Sequence, residues 1–269
     1  MKRDRIALAY SGSVTTSAAI RWLSDAYAAD VVTLTLDLGA GGELQEVHER
    51  ALAIGALRAH VIDVSEEFAN DYVLPALQAG ALRPGGETLA ALARPLVARK
   101  LLEIARIERA AAVAHGSSAP GLDTLINALD PEMRIIAPVR QWGMTRADVI
   151  DYARRLNVTL PAGAARKLTP ATPEIAADVE IGFDEGVPVS INGVPMSLTE
   201  LIESLTIIAA QHGVTGAGDF TGAPAIVLLQ DAFNARLRDE AASVVRLTLL
   251  NGATTATVVP SSELAAPRS

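Results

Sequence analysis

Apolar positions in this chain occur in two kinds of run, and their order changes part-way along. In the first half, short continuous apolar runs alternate with stretches whose apolar residues recur every three or four positions. Ile6–Tyr10, Val31–Leu38, His60–Val64, Ala111–His115 and Arg134–Val139 read as buried parallel strands. Ala19, Ile20, Leu23 and Tyr27 share one face of a helix after the first run. Glu43–Ile54 forms a second helix, closed by Gly55 as a C′ glycine. Ser65 is expected to cap a third, with Glu66 and Glu67 in its first turn. Arg83-Pro-Gly-Gly86 breaks structure, and a long helix follows over Thr88–Arg109, crossed by Pro95. Thr145–Leu156 opens with a Thr-x-x-Asp capping box. Alternation of this kind predicts right-handed βα units around a five-stranded parallel sheet.

The pattern then changes. Asn157–Asp178 contains Pro161, Pro170 and Pro173 among Ala and Thr and reads as a linker. Val179–Phe183 and Val187–Ile191 are short strands, and Asn192-Gly193 signals a type I′ hairpin. Leu198–Gln211 is an amphipathic helix with Leu201, Ile202, Leu205 and Ile208 on its apolar side, ending at His212-Gly213. Thr215–Ala223 reads as a loop and Ala225–Ala242 as a helix. Val244–Leu250, Asn251-Gly252 and Thr254–Val259 make a second hairpin, and the tail from Pro260 is expected to fray. The expected layout is an α/β domain over 1–160, a linker over 161–178, a smaller α+β domain over 179–260 and a tail over 261–269. There is no internal repeat.

Composition narrows the chemistry. The 269 residues are half hydrophobic but only 4% aromatic, so Ala, Leu, Val and Ile must build the core. A net charge of −8 with no basic cluster argues against a nucleic-acid partner. The absence of Cys removes disulfides, thiolate catalysis and Cys-based metal centres. No apolar run approaches a membrane span, and Met-Lys-Arg-Asp-Arg leads straight into the first strand without a signal-like region. A soluble cytoplasmic protein with no membrane partner is the expectation.

Ser11, Gly12 and Ser13 join the first strand to the first helix, with Thr15, Thr16 and Ser17 just beyond. Strand, tight Gly/Ser turn and helix start together favour a phosphate or pyrophosphate, because free N–H groups and the helix dipole converge there. An ordinary βα turn with good capping residues has the same local pattern. No Lys follows, which excludes a Walker A loop, and Leu44 stands where a dinucleotide fingerprint after Gly39 needs its third glycine. Ser11-Gly12, Asp37–Gly39 and His115-Gly116 all fall at the carboxyl ends of predicted strands, where open α/β sheets bind ligands. No His, Asp or Glu pairs stand at metal-ligand spacing, so no dedicated metal site is expected.

Ala9-Tyr-Ser-Gly-Ser-Val-Thr-Thr-Ser17 resembles the Ala-Tyr-Ser-Gly-Gly-Leu-Asp-Thr-Ser signature of argininosuccinate synthases, in the N-type ATP pyrophosphatase superfamily. Co-linear matches follow at Asp37-Leu-Gly39, Asp71-Tyr-Val-Leu-Pro-Ala-Leu77, Ala91-Leu-Ala-Arg-Pro-Leu96, Val113-Ala-His-Gly116 and Ile136-Ala-Pro-Val-Arg-Gln-Trp142. In the second half they include Val179-Glu-Ile-Gly-Phe-Asp-Glu-Gly-Val-Pro188, His212-Gly-Val214 and Val245-Arg-Leu-Thr-Leu249. The resemblance implies an adenine nucleotide alpha hydrolase-like (HUP) domain, ATP and Mg²⁺ as cofactors, and a homo-oligomer acting on small nucleotide and amino-acid ligands. It implies ligation of citrulline to aspartate through citrullyl-AMP. Residue by residue it places ATP at Ala9, Tyr10, Ser11, Gly12, Ser13, Thr15, Thr16, Ser17, Asp37, Gly39 and Gly116. It places the amino acids at Arg94, Ser118 and Asp123. No residue is assigned a catalytic role.

Departures from the family pattern cluster at the ligands. Ser13 replaces the second signature glycine and Thr15 the signature aspartate. Gly85-Gly86 stands where the family has its citrulline-binding tyrosine. The loop His115-Gly-Ser-Ser-Ala-Pro-Gly-Leu-Asp-Thr-Leu-Ile126 lacks the family's Lys, Asn, Arg and Glu. Ligand-bearing stretches shrink to Lys167-Leu-Thr-Pro170 and are replaced at Thr215–Ala223. Three functions are compatible with this: an impaired or altered ligase, a non-catalytic nucleotide-binding or regulatory paralogue, and a structural subunit assembling with an active synthase.

Overall fold

The computed structural model describes residues 3–39, 44–82, 87–155, 176–214, 223–239 and 243–260. The chain divides into two compact units, one of Met1–Asp37, Gly42–Asp63 and Arg94–Lys167, the other of Leu38–Gly41, Val64–Ala93 and Leu168–Ser269.

The first unit holds a five-stranded parallel sheet in the order β3-β2-β1-β4-β5. Its strands are β1 (Arg5–Ala9), β2 (Asp30–Asp37), β3 (Arg58–Asp63), β4 (Ala112–His115) and β5 (Arg134–Ile136). Strand periodicity splits β1 between two cores. Ile6 and Leu8, with Tyr10 just beyond the strand, pack on Ala19, Ile20 and Leu23 of α1 (Val14–Tyr27) and on Ala51 and Ile54 of α2 (Leu44–Ile54). Ala7 faces the other way, toward Leu101, Leu102 and Ala105 near the carboxyl end of a long helix and Leu122 and Ile126 of a shorter one. Helices therefore cover both faces, as a sheet with buried, near-continuous apolar strands requires.

The unit boundary runs through the long helix, which spans Glu87–Glu108 and contains Pro95. Before it, α3 (Ser65–Phe68) and α4 (Leu74–Gln78) are joined by a π-helical turn at Ala69–Val73. Pro75 explains that turn. It has no N–H to give to the carbonyl one turn back, so the α-helical ladder cannot run through unbroken. The long helix is α5, and α6 (Gly121–Leu129), α7 (Pro138–Gln141) and α8 (Arg146–Arg155) complete the helices of the first unit.

Three predicted boundaries move. Val64, not Ser65, occupies the N-cap of α3, and Ser65 is its first helical residue. The strand expected over Arg134–Val139 stops at Ile136, because Pro138 starts α7 from the first helical position that proline favours. The helix expected to reach Ala242 ends at Arg236. The Thr145 capping box forms as expected: the Thr145 N–H and hydroxyl donate to Asp148 Oδ2 at 2.8 and 2.6 Å.

The second unit carries an antiparallel sheet in the order β10-β9-β6-β7-β8. Its strands are β6 (Ala177–Asp184), β7 (Val187–Ile191), β8 (Val194–Pro195), β9 (Val244–Leu250) and β10 (Ala253–Val258). Two-residue turns at Glu185-Gly186, Asn192-Gly193 and Asn251-Gly252 all have positive φ at both positions, as tight hairpins of right-twisted strands require. Helix α9 (Leu198–Gln211) starts at a complete capping box between Ser197 and Glu200, and packs against β7. Helix α10 (Ala223–Arg236) covers β9 and β10, with Phe233 meeting Phe183 edge to face at 5.1 Å. Arg83–Gly86, all but the last three residues of 161–178, residues 215–222 and the tail 261–269 lie outside the described residues.

Candidate functional site

The turn after β1 is built from hydroxyls. Ser13 is the N-cap of α1, with extended backbone at φ −66° and ψ 160°, and its Oγ accepts from the Thr16 N–H at 3.3 Å. Ser11 Oγ donates to Ser13 Oγ at 3.2 Å and lies 3.3 Å from Thr16 Oγ1, which is 3.1 Å from Ser13 Oγ. The three side chains thus bond to one another across the mouth of the helix. One α1 donor that a phosphate oxygen could take already has a partner.

The turn is anchored from below and from one side. Tyr10 and Ser17 are buried, and their hydroxyls bond at 3.0 Å, so both side chains support the turn from within. Burial pushes the Tyr10 phenol up, against the smaller opposing effects of Ser17 and the Arg50 charge. Thr35 Oγ1 donates to the Tyr10 carbonyl at 3.0 Å, and Arg50 Nη1 donates to the Gly12 carbonyl at 3.2 Å. Gly12 adopts φ +73°, and a Cβ there would come within 3.1 Å of Val47, so glycine is required twice over.

Ala9 and His115 are partners in the β1–β4 register, which brings the two strand ends together. A Cβ on Gly116 would sit 2.9 Å from Thr16 Cγ2 and 3.9 Å from Thr15 Cγ2. The predicted residues Ala9 to Ser17 and Gly116 therefore form one contiguous surface at the carboxyl ends of β1 and β4. Asp37 ends β2, opposite Asp63 in the β2–β3 register. Gly39 belongs to the second unit, at φ +78°, where a Cβ would lie 3.1 Å from Ser65 Cβ and 3.4 Å from Thr199 Cγ2.

The three predicted amino-acid ligands are placed differently. Ser118 is exposed. Arg94 lies along the start of α6, 3.3 Å from where a Gly121 Cβ would be. Asp123 is held by the Arg140 fork, with Nη1 on Oδ2 at 3.0 Å and Nη2 on Oδ1. Its Oδ2 also lies 3.2 Å from His115 Nε2, an ion-pair distance whose direction falls short of a hydrogen bond. Burial opposes the Asp123 charge, but the Arg140 hydrogen bond and the nearby cation hold its carboxyl below the usual range. Burial also lowers His115, which is 1% exposed; Asp123 works against that shift and the Arg140 charge with it. The sequence marked His115 as a strand end and Arg140 as part of a motif, but gave neither a role. Their meeting depends on how α6 and α7 return to the sheet, which no local pattern records.

Among the described residues no group of three or more His, Cys, Asp or Glu could hold a metal ion, and no helix is long and apolar enough to cross a membrane.

Residues 5–159 match the family described as the arginosuccinate synthase N-terminal HUP domain, and residues 164–220 match the arginosuccinate synthase C-terminal domain. The chain belongs to the argininosuccinate synthase family. An argininosuccinate synthase from Geobacillus sp. (strain WCH70) is 42% identical over 253 residues, covering 80% of this chain and 63% of the relative. One from Geobacillus thermodenitrificans (strain NG80-2) is 40% identical, with 80% and 62% covered. The chain thus spans under two thirds of the length of these relatives. A solved U34-tRNA thiolase from Methanococcus maripaludis aligns over 89% of this chain and 74% of its own, at 9% identity and a TM-score of 0.41, too low to carry weight. The family match covers the hydroxyl turn, β4 and the His115–Asp123–Arg140 cluster in one stretch. Within an argininosuccinate synthase HUP domain, these features occupy the carboxyl edge of the sheet.

Proposed function

We propose that this chain binds ATP through its phosphates at Ser11–Ser17 and Gly116, in the manner of an argininosuccinate synthase, and that ligation of citrulline to aspartate through citrullyl-AMP is impaired in it. The family match over the whole HUP domain supports the nucleotide half of this reading. One observation carries the impairment: the Ser13 hydroxyl takes the Thr16 N–H. Where the family pattern has glycine, this chain supplies its own oxygen at the anion position.

The fit to the family's cofactors is uneven. Gly12 in the left-handed region, the close approach of Gly116 to Thr16 and the start of α1 suit a phosphate. Ser11–Ser17 contains hydroxyls and no carboxylate, because Thr15 stands in place of the signature aspartate. The turn therefore offers Mg²⁺ no charged ligand, and no step is assigned to the ion. When bound, ATP supplies the adenylyl group that activates the ureido oxygen. The chain's own part is to hold the phosphates by the α1 amides and hydroxyls and to fix the turn through Tyr10, Thr35 and Arg50.

The amino-acid side is weaker still. Asp123 already has a guanidinium partner, Ser118 is exposed, and the loop between them lacks the family's Lys and Asn. Removing one oriented donor from such a site costs on the order of 10²–10³ in rate, and several losses compound without adding simply. The test is pyrophosphate release from ATP with citrulline and aspartate present. Release at background rate, alongside measurable ATP binding, is the expected result. Turnover at ordinary enzyme rates would overturn the impairment, and absence of ATP affinity would overturn the nucleotide site.

A further inference from the structure

We propose that Arg140 is a positioning residue: by pairing with Asp123 it keeps His115 a neutral imidazole, whose Nδ1 accepts from the Ser117 N–H and so fixes the turn Gly116–Ser118. The inference rests on the nucleotide-site reading only in taking that turn to border the bound phosphates.

The geometry is specific. Ser117 N donates to His115 Nδ1 at 3.2 Å, which assigns the ring proton to Nε2. Nε2 faces Asp123 Oδ2 at 3.2 Å. An unpaired carboxylate there would draw a second proton onto the ring. Protonated Nδ1 would then be a donor facing the Ser117 donor, and the turn would lose its anchor. Arg140 prevents this by occupying both Asp123 oxygens from α7. The charged groups facing the ring are Asp123 from α6 and Arg140 from α7; the first favours the imidazolium and the second opposes it, together with burial. Three elements that follow one another around the sheet edge, β4, α6 and α7, are thereby tied to one turn. A further anchor holds the same turn, with Ser117 Oγ donating to the Ala119 carbonyl at 3.0 Å. The other side of Gly116 is pressed against Thr16 of the hydroxyl turn, so a shift of Gly116 reaches the α1 amides directly.

A purely structural ion pair would change stability without changing the ring. The experiment is nitrogen-15 NMR of the histidine side chains in the full chain, with His115 assigned by elimination using single replacements of His48, His60 and His212. Wild type is expected to show His115 as the Nε2–H tautomer at neutral pH. In Arg140→Gln the ring should titrate to imidazolium at a higher pH than in wild type, and the Ser117 amide should exchange with solvent faster. Arg140→Lys keeps the charge and should preserve the neutral ring. Asp123→Asn removes the attracting carboxylate and should move the titration lower; it serves if Arg140→Gln does not fold. An unchanged His115 titration in Arg140→Gln, or in Asp123→Asn where that variant stands in, overturns the proposal. ATP titration of the wild type tests the nucleotide site separately, since the ring's protonation is read without any nucleotide.

Discussion

Replacing Ser13 by glycine separates helix capping from anion binding at the same N–H. In the wild type, Thr16 N donates to Ser13 Oγ at 3.3 Å, at the long end of hydrogen-bond range, so little is lost when the oxygen goes. A capping Ser→Gly change costs a few tenths of a kcal/mol, against about 1 kcal/mol for Ser→Ala. The freed N–H can then donate to a pyrophosphate oxygen, and a hydrogen bond to a charged acceptor contributes about 1.5–3 kcal/mol. That range corresponds to a roughly tenfold to hundredfold gain in affinity. Calorimetric titration of inorganic pyrophosphate into wild type, Ser13→Gly and Ser13→Ala reads the effect, with thermal unfolding run in parallel. Glycine should bind more tightly with almost unchanged Tm. Alanine should lose stability and regain affinity only so far as the hydroxyl, rather than the Cβ, blocks the anion. Equal pyrophosphate affinity in all three proteins would refute the reasoning.

Other consequences lie elsewhere in the two units. Glu108 is 1% exposed and receives Arg5 at 2.8 Å, Arg58 at 3.0 Å and His60 at 2.9 Å, tying β1 and β3 to the end of α5. Breaking a fully buried pair costs about 3–5 kcal/mol; because these partners reach solvent, about 2 kcal/mol is expected for Glu108→Gln, or a Tm lower by about 4–8 °C. Burial opposes the Glu108 charge, but hydrogen bonds from His60 and Arg58 and their charges outweigh it and lower its carboxyl below the ordinary value. Its stabilisation is therefore present above the unfolded carboxylate range and is lost as pH falls through the lowered folded value; chemical denaturation should show wild type and Glu108→Gln converging in acid. Gly116→Ala places a methyl 2.9 Å from Thr16 Cγ2, and should cost about 1–3 kcal/mol while weakening pyrophosphate binding; unchanged stability and affinity would contradict the close approach. Gly252→Ala combines φ +79° with a Cβ 2.9 Å from the Gly213 carbonyl oxygen, so a lower Tm from loss of the β9–β10 hairpin is expected, and an unchanged Tm would contradict it.

Residues whose role is set by neighbours in sequence were legible in the sequence. The period-two pattern of β1, the glycine after α2, the Asn-Gly hairpins and the Thr145 capping box are local rules, and each formed. Boundaries failed where a local signal was overridden: Pro138 cut β5 short by starting a helix, and Ser65 became a helical residue instead of its cap. The hydroxyl turn was visible as an anion-site pattern, but not that Ser13 would cap α1 with its own oxygen. That depends on a backbone angle and a rotamer. The pairing of Asp123 with Arg140 was hidden for another reason. The two residues are separated by the rest of α6 and all of β5, and only the right-handed return of the chain to the sheet brings them together. A residue carried over from the family as a ligand thus proves to be already engaged within the chain.

Calorimetric titration of ATP–Mg²⁺ into the full chain, with and without citrulline and aspartate, tests the central claim most directly. Weak saturable binding that the amino acids leave unchanged is the predicted result, since the phosphate turn persists while the amino-acid contacts do not. Absence of binding would make the hydroxyl turn a scaffold only. Binding that tightens when citrulline is added would mean the adenylation pocket still assembles, and would contradict the impairment.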